Sequence, residues 1–256
     1  MTAKRKVRVA AVGDIHCNQK SQGTLQPLLG PISAEADVLV LCGDLTDYGL
    51  PEEAQIFAKE LTAAVKIPIV AVLGNHDYHA GKQNEIRDIL ANAGVRVLQG
   101  DNCEIEGIGF AGVKGFAGGF GRRILEPWGE DTVKAFVREA VNETLQLEFG
   151  LSNLRIEPTI AVLHYAPIQA TVEGEPLEIY PFMGSSRLEE PLNRYPVAAC
   201  FHGHAHRGTP EGKTLAGVPV YNVSLPLMRR TFPNGPAARM IEVAVPSREM
   251  VEVGAH

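Results

Sequence analysis

Four cysteines, Cys17, Cys42, Cys103 and Cys200, are too few and too scattered for a disulfide framework, and none stands in a C-x-x-C spacing. Cys42 and Cys200 lie inside apolar runs, where a free thiol behaves as a small hydrophobe. Such usage points to a reduced, cytoplasmic protein. Positive charge is scarce: 24 Lys and Arg against 30 Asp and Glu leave a net charge of −6. The only basic block, Lys4-Arg5-Lys6, reads as a solvated N-terminus. Nucleic acid is therefore not an expected partner, since a surface that coats it needs a basic excess. A phosphate substrate stays open, because bound metal ions can supply a positive field locally. No apolar run approaches the roughly 18 residues of a membrane helix. The apolar stretch after Lys6 is interrupted by Arg8 and stopped by Asp14, unlike a secretory leader. Repeats and low-complexity tracts are absent. Seven glycines fall between Gly107 and Gly121 without Walker or dinucleotide spacing, which favours tight turns and a mobile loop near a site.

What is present is an ordinary apolar content, 45% over 256 residues, enough for an ample core without cross-links. The length admits one large or two small domains; with no linker visible, a single domain over 1–256 is the simplest reading. Apolar strand patterns run over Val7–Val12, Asp37–Cys42, Ile67–Leu73, Thr159–Leu163 and Val197–Phe201. Shorter ones are expected near 95–98, 103–106, 108–111, 213–215, 218–223 and 239–245. Helices are predicted from Pro51, over about Asn84–Ala93 and over Asp131–Glu148, the last with Val133, Phe136, Val137, Ala140, Val141, Thr144 and Leu145 on one face. A short helix in Leu25–Ala36 is expected to be broken by Pro27 and Pro31, and another covers Leu188–Tyr195. The pattern is that of an α/β protein.

Five of the strands end in groups that can ligate metal: Asp14 and His16, Asp44, Asn75 and His76, His164, and His204 and His206. Three histidines within Phe201-His202-Gly203-His204-Ala205-His206 would alone be compatible with a surface patch. In open α/β sheets, however, ligands collect beyond the carboxyl ends of the strands, so residues scattered in sequence would converge. Carboxylate, amide and imidazole donors without thiolate suit manganese, iron or zinc. Two divalent ions about 3.5–4 Å apart make such a set suited to in-line phosphoryl displacement.

The ordered series Asp14-x-His16, Gly43-Asp44-x-x-Asp47, Gly74-Asn75-His76-Asp77, His164 and Gly203-His204-x-His206 resembles the calcineurin-like metallophosphoesterase superfamily. The resemblance spans about residues 14–206. It implies a four-layer α/β/β/α sandwich of mixed sheets with a dinuclear site at the strand ends. By motif position, Asp14, His16 and His206 would bind one ion, Asn75, His164 and His204 the other, and Asp44 both. The ions, manganese or iron with zinc possible, would share an activated hydroxide. His76 would be the acid for the leaving oxygen and Asp77 would orient it.

Where phosphoprotein phosphatases carry an arginine after the second aspartate, this chain has Tyr48, which counts against that branch. The third and fourth motifs are more similar to bacterial phosphodiesterases. The expectation is hydrolysis of a phosphodiester in a small or nucleotide-like substrate. A phosphomonoesterase or pyrophosphohydrolase is the alternative, and a non-catalytic scaffold, as in a retromer subunit of the same fold, the reading from another class. Asp47 is expected to close its turn, Cys17 to line the mouth of the site, and His202 to bind neither ion. Arg122 and Arg123 are candidates for a substrate anion, and His79 is expected in solvent.

Overall fold

The computed structural model describes residues 4–246. The elements in chain order are β1 (Lys4–Val12), α1 (Gln26–Glu35), β2 (Val38–Cys42), α2 (Pro51–Ala64), β3 (Ile69–Val72), α3 (Gln83–Asn92), β4 (Val95–Val97), β5 (Asn102–Ile105), β6 (Ile108–Val113) and α4 (Asp131–Ser152). They continue with β7 (Thr159–Leu163), α5 (Tyr180–Met183), α6 (Glu189–Arg194), β8 (Val197–His202), β9 (Glu211–Lys213), β10 (Pro219–Asn222), α7 (Leu225–Thr231) and β11 (Arg239–Pro246). One sheet has the order β11-β1-β2-β3-β4, the other β5-β6-β7-β8-β10-β9. β1 through β4 run parallel and so do β6, β7, β8 and β10, with β11, β5 and β9 antiparallel at the edges.

Strands that read as continuous apolar runs are two-faced in space, because alternate side chains point to opposite faces. Val7, Val9, Ala11, Val38, Val40, Val70 and Val72 meet Ile108, Phe110, Ile160, Val162 and Phe201 between the sheets. Ala10, Val12, Leu39, Leu41, Ile69 and Ala71 face outward under α1, α2 and α3. On the second sheet Ala111, Val113, Ala161, Leu163 and Cys200 are covered by Leu147, Leu151, Leu188 and Leu192. The result is the expected α/β/β/α sandwich.

Several local expectations need correction. Lys4-Arg5-Lys6 is largely solvated as expected but is also the start of β1, with Arg5 paired to Glu106 at 2.8 Å and Lys6 to Glu242 at 2.5 Å. α1 is continuous through Pro31: Pro27 sits in the first turn, where no amide partner is needed, and Pro31 is accommodated inside the helix. On α4 the buried stripe is Val137, Ala140, Thr144, Leu147 and Leu151, and Leu145 lies 56% exposed, one step of about 100° off that row. α5 and α7, four and seven residues long, are too short to declare themselves by periodicity. Among the described residues no helix is long and apolar enough to cross a membrane.

Candidate metal centre

The turns after β1, β2, β3, β7 and β8 meet at one edge where the two sheets converge. Backbone bonds stitch them: Gly13 donates to Val223, Asp14 to Gly43, His16 to Asp44 and Gly203 to His164, at 2.9–3.1 Å. Asp14, His16, Asp44 and His204 all adopt positive φ, between 49° and 68°. Non-glycine residues are rarely held in this region, at a cost of order 1–3 kcal/mol each, and such strain gathers at functional sites. Gly74 and Gly203 explain the close packing. A Cβ at Gly74 would overlap the Asp44 carboxylate, and one at Gly203 the Asp14 carboxylate. Gly203 therefore makes room for Asp14, rather than serving a backbone conformation that only glycine adopts.

Two donor clusters result. Asp14, His16 and His206 bring one ligand atom each within 4.8 Å of one another, and so do Asp44, His164 and His204. Asp44 lies between them: its Oδ2 is 3.9 Å from His16 Nε2 and its Oδ1 is 3.4 Å from His164 Nε2. The structure thus brings together Asp14, His16, Asp44, Asn75, His164, His204 and His206, with His76 at the edge, its ring 4.5 Å from that of His16. A further group, His16, Asp47 and His76, shares His16 with the first cluster.

Hydrogen-bond chemistry tests whether cations fit here. His164 Nδ1 lies 2.9 Å from the Cys42 carbonyl, which can only accept, so that nitrogen carries the proton. In the neutral ring, Nε2 then aims a lone pair at Asn75 Oδ1, 2.9 Å away, and at Asp44 Oδ1. Burial holds His164 neutral, pulling it well below its ordinary value. His204 repeats the pattern: Nε2 donates to the Phe182 carbonyl at 3.1 Å, leaving the Nδ1 lone pair free to ligate. Burial, then neighbouring His164, draws His204 down to about 3. Both ring nitrogens of His16 are buried without a hydrogen-bond partner. Burial, then the charges of Asp14 and Asp77, pushes Asp44 far above the ordinary carboxylate range. Crowded lone pairs, an orphaned imidazole and repelling carboxylates are what bound divalent cations relieve, so the donor set fits them.

Other expectations resolve unevenly. Asp77 does not orient His76: its fully buried carboxylate accepts from Gly74, Leu45 and Thr46 amides and from the Thr46 hydroxyl, at 2.6–3.2 Å. Its short side chain caps that turn from inside. His76 Nδ1 is held instead by the Asp47 carbonyl at 2.6 Å, a backbone contact that residue identity does not announce. Cys17 lies in the core, not at the mouth, where burial lifts its thiol to about 11. His202 is buried between the Thr171 hydroxyl at 2.7 Å and the Gly203 carbonyl at 2.8 Å, apart from both clusters as expected. His79 is exposed and stacks edge-on with Tyr48. Arg122 and Arg123 lie exposed on the turn Gly121–Arg123, which is tied to Ser186. Three supporting residues lie outside the motifs. Asn222 donates to the Ala205 and Thr171 carbonyls at 2.8 and 3.2 Å, Ser224 donates to Ala205 at 3.3 Å, and Arg230 donates to the His206 carbonyl at 2.8 Å. Together they brace the loop bearing His204 and His206.

The model of the calcineurin-like phosphoesterase family matches residues 7–208. The chain belongs to this family. A probable glycerophosphodiester phosphodiesterase (GpdQ) of Arcobacter nitrofigilis is 23% identical over 189 residues, which make up 69% of this chain and 59% of that relative. The chain thus matches less than two thirds of the relative's length. Among solved structures, phosphopantetheinyl hydrolase from Mycobacterium tuberculosis superimposes with a TM-score of 0.66 at 15% identity, covering 91% of this chain and 95% of the other. The protein TT1561 of Thermus thermophilus superimposes with a TM-score of 0.54 at 14% identity, covering 93% and 99%. At these identities the structural likeness establishes the metallophosphoesterase fold.

Proposed function

We propose that this member of the phosphoesterase family is a dinuclear metal-dependent phosphodiesterase acting on a small or nucleotide-like substrate. The observation that carries the reading is the position of Asp44, one oxygen toward His16 and the other toward His164. In this assignment Asp14, His16 and His206 would hold one ion, Asn75, His164 and His204 the second, and Asp44 would serve both. Manganese or iron fits the oxygen and imidazole donors best, with zinc also compatible. When bound, the two ions would activate water and neutralise the phosphoryl oxygens.

The side chains do the rest. The Cys42 and Phe182 carbonyls set the tautomers of His164 and His204, so the correct lone pairs face inward. The Asp47 carbonyl fixes His76 in turn by accepting from its Nδ1–H. To serve as acid the ring must therefore carry a second proton on Nε2, which it gives to the leaving oxygen, ending as the neutral Nδ1–H form. Tyr48, exposed beside Asp47, adds no charge for a terminal phosphate dianion. The guanidinium of Arg230 is engaged with the His206 and Gly208 carbonyls behind the loop. A singly charged diester suits this environment better than a monoester. The name of the Arcobacter relative points the same way.

The test is a manganese-supplemented panel of phosphodiester, monoester and pyrophosphate substrates, run with metal analysis. Faster turnover of diesters supports the proposal. A preference for monoesters or pyrophosphates would transfer the same site to those substrates. Fewer than one bound ion per chain would point to a non-catalytic scaffold.

A further inference from the structure

Beneath the centre lies a charged pair that the proposed chemistry does not use. Lys114, 7% exposed, follows β6, and Glu143, 6% exposed, projects from α4. The Lys114 ammonium lies 3.2 Å from Glu143 Oε1 and donates to the Gly115 carbonyl at 2.7 Å, while Glu143 Oε2 accepts from the Gly115 amide at 2.8 Å. Three rings enclose the ammonium: Phe116 at 4.9 Å, Tyr78 at 5.3 Å and Tyr165 at 5.4 Å. A desolvated cation against ring faces is attracted by their quadrupoles, so moving one ring relative to the others weakens the whole assembly.

Two of the three rings, Tyr78 and Tyr165, belong to turns that carry ligands assigned to the second ion, and Tyr165 also touches the third such ligand. Tyr78 ends the Gly74-Asn75-His76-Asp77 turn, and its amide donates to the Asn75 carbonyl at 3.2 Å. The Lys114 carbonyl accepts from the amides of both His164 and Tyr165, at 3.0 Å each. The Tyr165 ring lies 4.5 Å from that of His204 and 5.5 Å from that of His164. Asn75, His164 and His204 are thus all registered to one buried cation. Asp14, His16 and His206 are placed by the turns after β1 and β8 and by the Arg230 brace.

We infer that Lys114, held by Glu143 and caged by Tyr78, Phe116 and Tyr165, is a positioning residue that organises the second-ion half of the centre and not the first. The inference rests on the dinuclear reading above. A buried pair of this kind is a weak source of stability, since apolar replacements of like volume are often neutral. Fixing the relative places of the two ligand-bearing turns, and through Tyr165 of His204, is a role that such replacements would not reproduce.

The test titrates the metal-free full chain with Mn²⁺ by calorimetry. Lys114→Met alone leaves Glu143 buried and unpaired and so risks unfolding. The informative variant is Lys114→Met/Glu143→Gln, which removes both charges and keeps an acceptor for the Gly115 amide. We expect one of the two binding steps to weaken about 10- to 100-fold, the range for partners that orient ligands, with the other step unchanged. Lys114→Arg, which restores a cation against the rings, should recover part of that loss. Two unchanged steps, or equal weakening of both, would overturn the inference while leaving the dinuclear reading standing. A wild-type chain that binds fewer than two ions would overturn both.

Discussion

His76 is gripped by the backbone of Asp47 and not by its carboxylate: His76 Nδ1 is 2.6 Å from the Asp47 carbonyl, whereas the Asp47 Oδ1 is 3.9 Å from the same nitrogen. That carboxylate oxygen also stands 3.7 Å from His16 Nδ1. A backbone grip survives substitution of the side chain, which separates two roles that residue identity alone confounds. Orientation of His76 comes from the carbonyl, and the carboxylate adds negative charge beside two imidazoles.

His76→Ala should therefore retain both ions and lose about 10²- to 10⁴-fold in kcat, the usual contribution of a placed general acid. Asp47→Asn keeps the carbonyl and should cost distinctly less. Parallel kcat measurements and metal counts check both. A His76→Ala chain that has lost an ion would make His76 a ligand and remove it from the acid's role.

Asp44→Asn takes away the negative charge that faces both clusters. Both ions should weaken together, by more than the roughly 10- to 100-fold typical of changes outside the ligand shell. A calorimetric titration resolves the two steps. Loss confined to one step would show that Asp44 serves a single ion.

Gly203→Ala places a methyl against the Asp14 carboxylate and the Cys42 carbonyl. Asp14 also accepts from the His204 amide at 2.9 Å and pairs with His206 at 2.9 Å, so displacing it disturbs the first-ion cluster directly. The expected outcome is loss of the ion held by Asp14, His16 and His206, read as metal per chain after gel filtration. Gly30→Ala is the control. It lies within α1 with nothing near a new Cβ, and should be neutral or stabilise by about 0.5–1 kcal/mol.

The convergence of the candidate ligands was legible in the sequence because each follows a short apolar run, and strand ends of parallel sheets share one edge. Asp14, Asp44 and His164 needed only that topology. What was not legible depends on contacts without periodicity. Asp77 stands beside His76 in sequence yet turns inward to three amides and a hydroxyl, and only the turn geometry decides this. Cys17 follows a ligand by one residue, and a bridge between Cys17 and Thr46 carries it into the core. Leu145 fits an apolar face on paper, but the choice of which helical row meets the sheet belongs to packing. Lys114 reads as an ordinary lysine after a strand until Glu143, far along the chain on α4, folds over it.

Asn222 is the clearest case of support that the motifs do not mention. Fully buried, it points its amide nitrogen at the carbonyls of Ala205, between two ligands, and Thr171, while its oxygen accepts from the Ser224 amide at 3.2 Å. In Asn222→Ala the two carbonyls keep other donors, the Ser224 hydroxyl at 3.3 Å and the Thr209 amide at 3.1 Å, but the buried Ser224 amide loses the Asn222 oxygen, and that loss sets the penalty. A destabilisation of about 1–3 kcal/mol is expected. For a chain near this size that lowers Tm by roughly 2–12 °C. Asn222→Asp should be worse, because it turns an acceptor toward two carbonyls. The loop between His204 and His206 would loosen with it, so both ions should bind more weakly even where the fold persists. Thermal melts with and without Mn²⁺ measure both effects. An Asn222→Ala chain with wild-type Tm and metal affinity would show that Ser224 and Arg230 suffice to hold the loop.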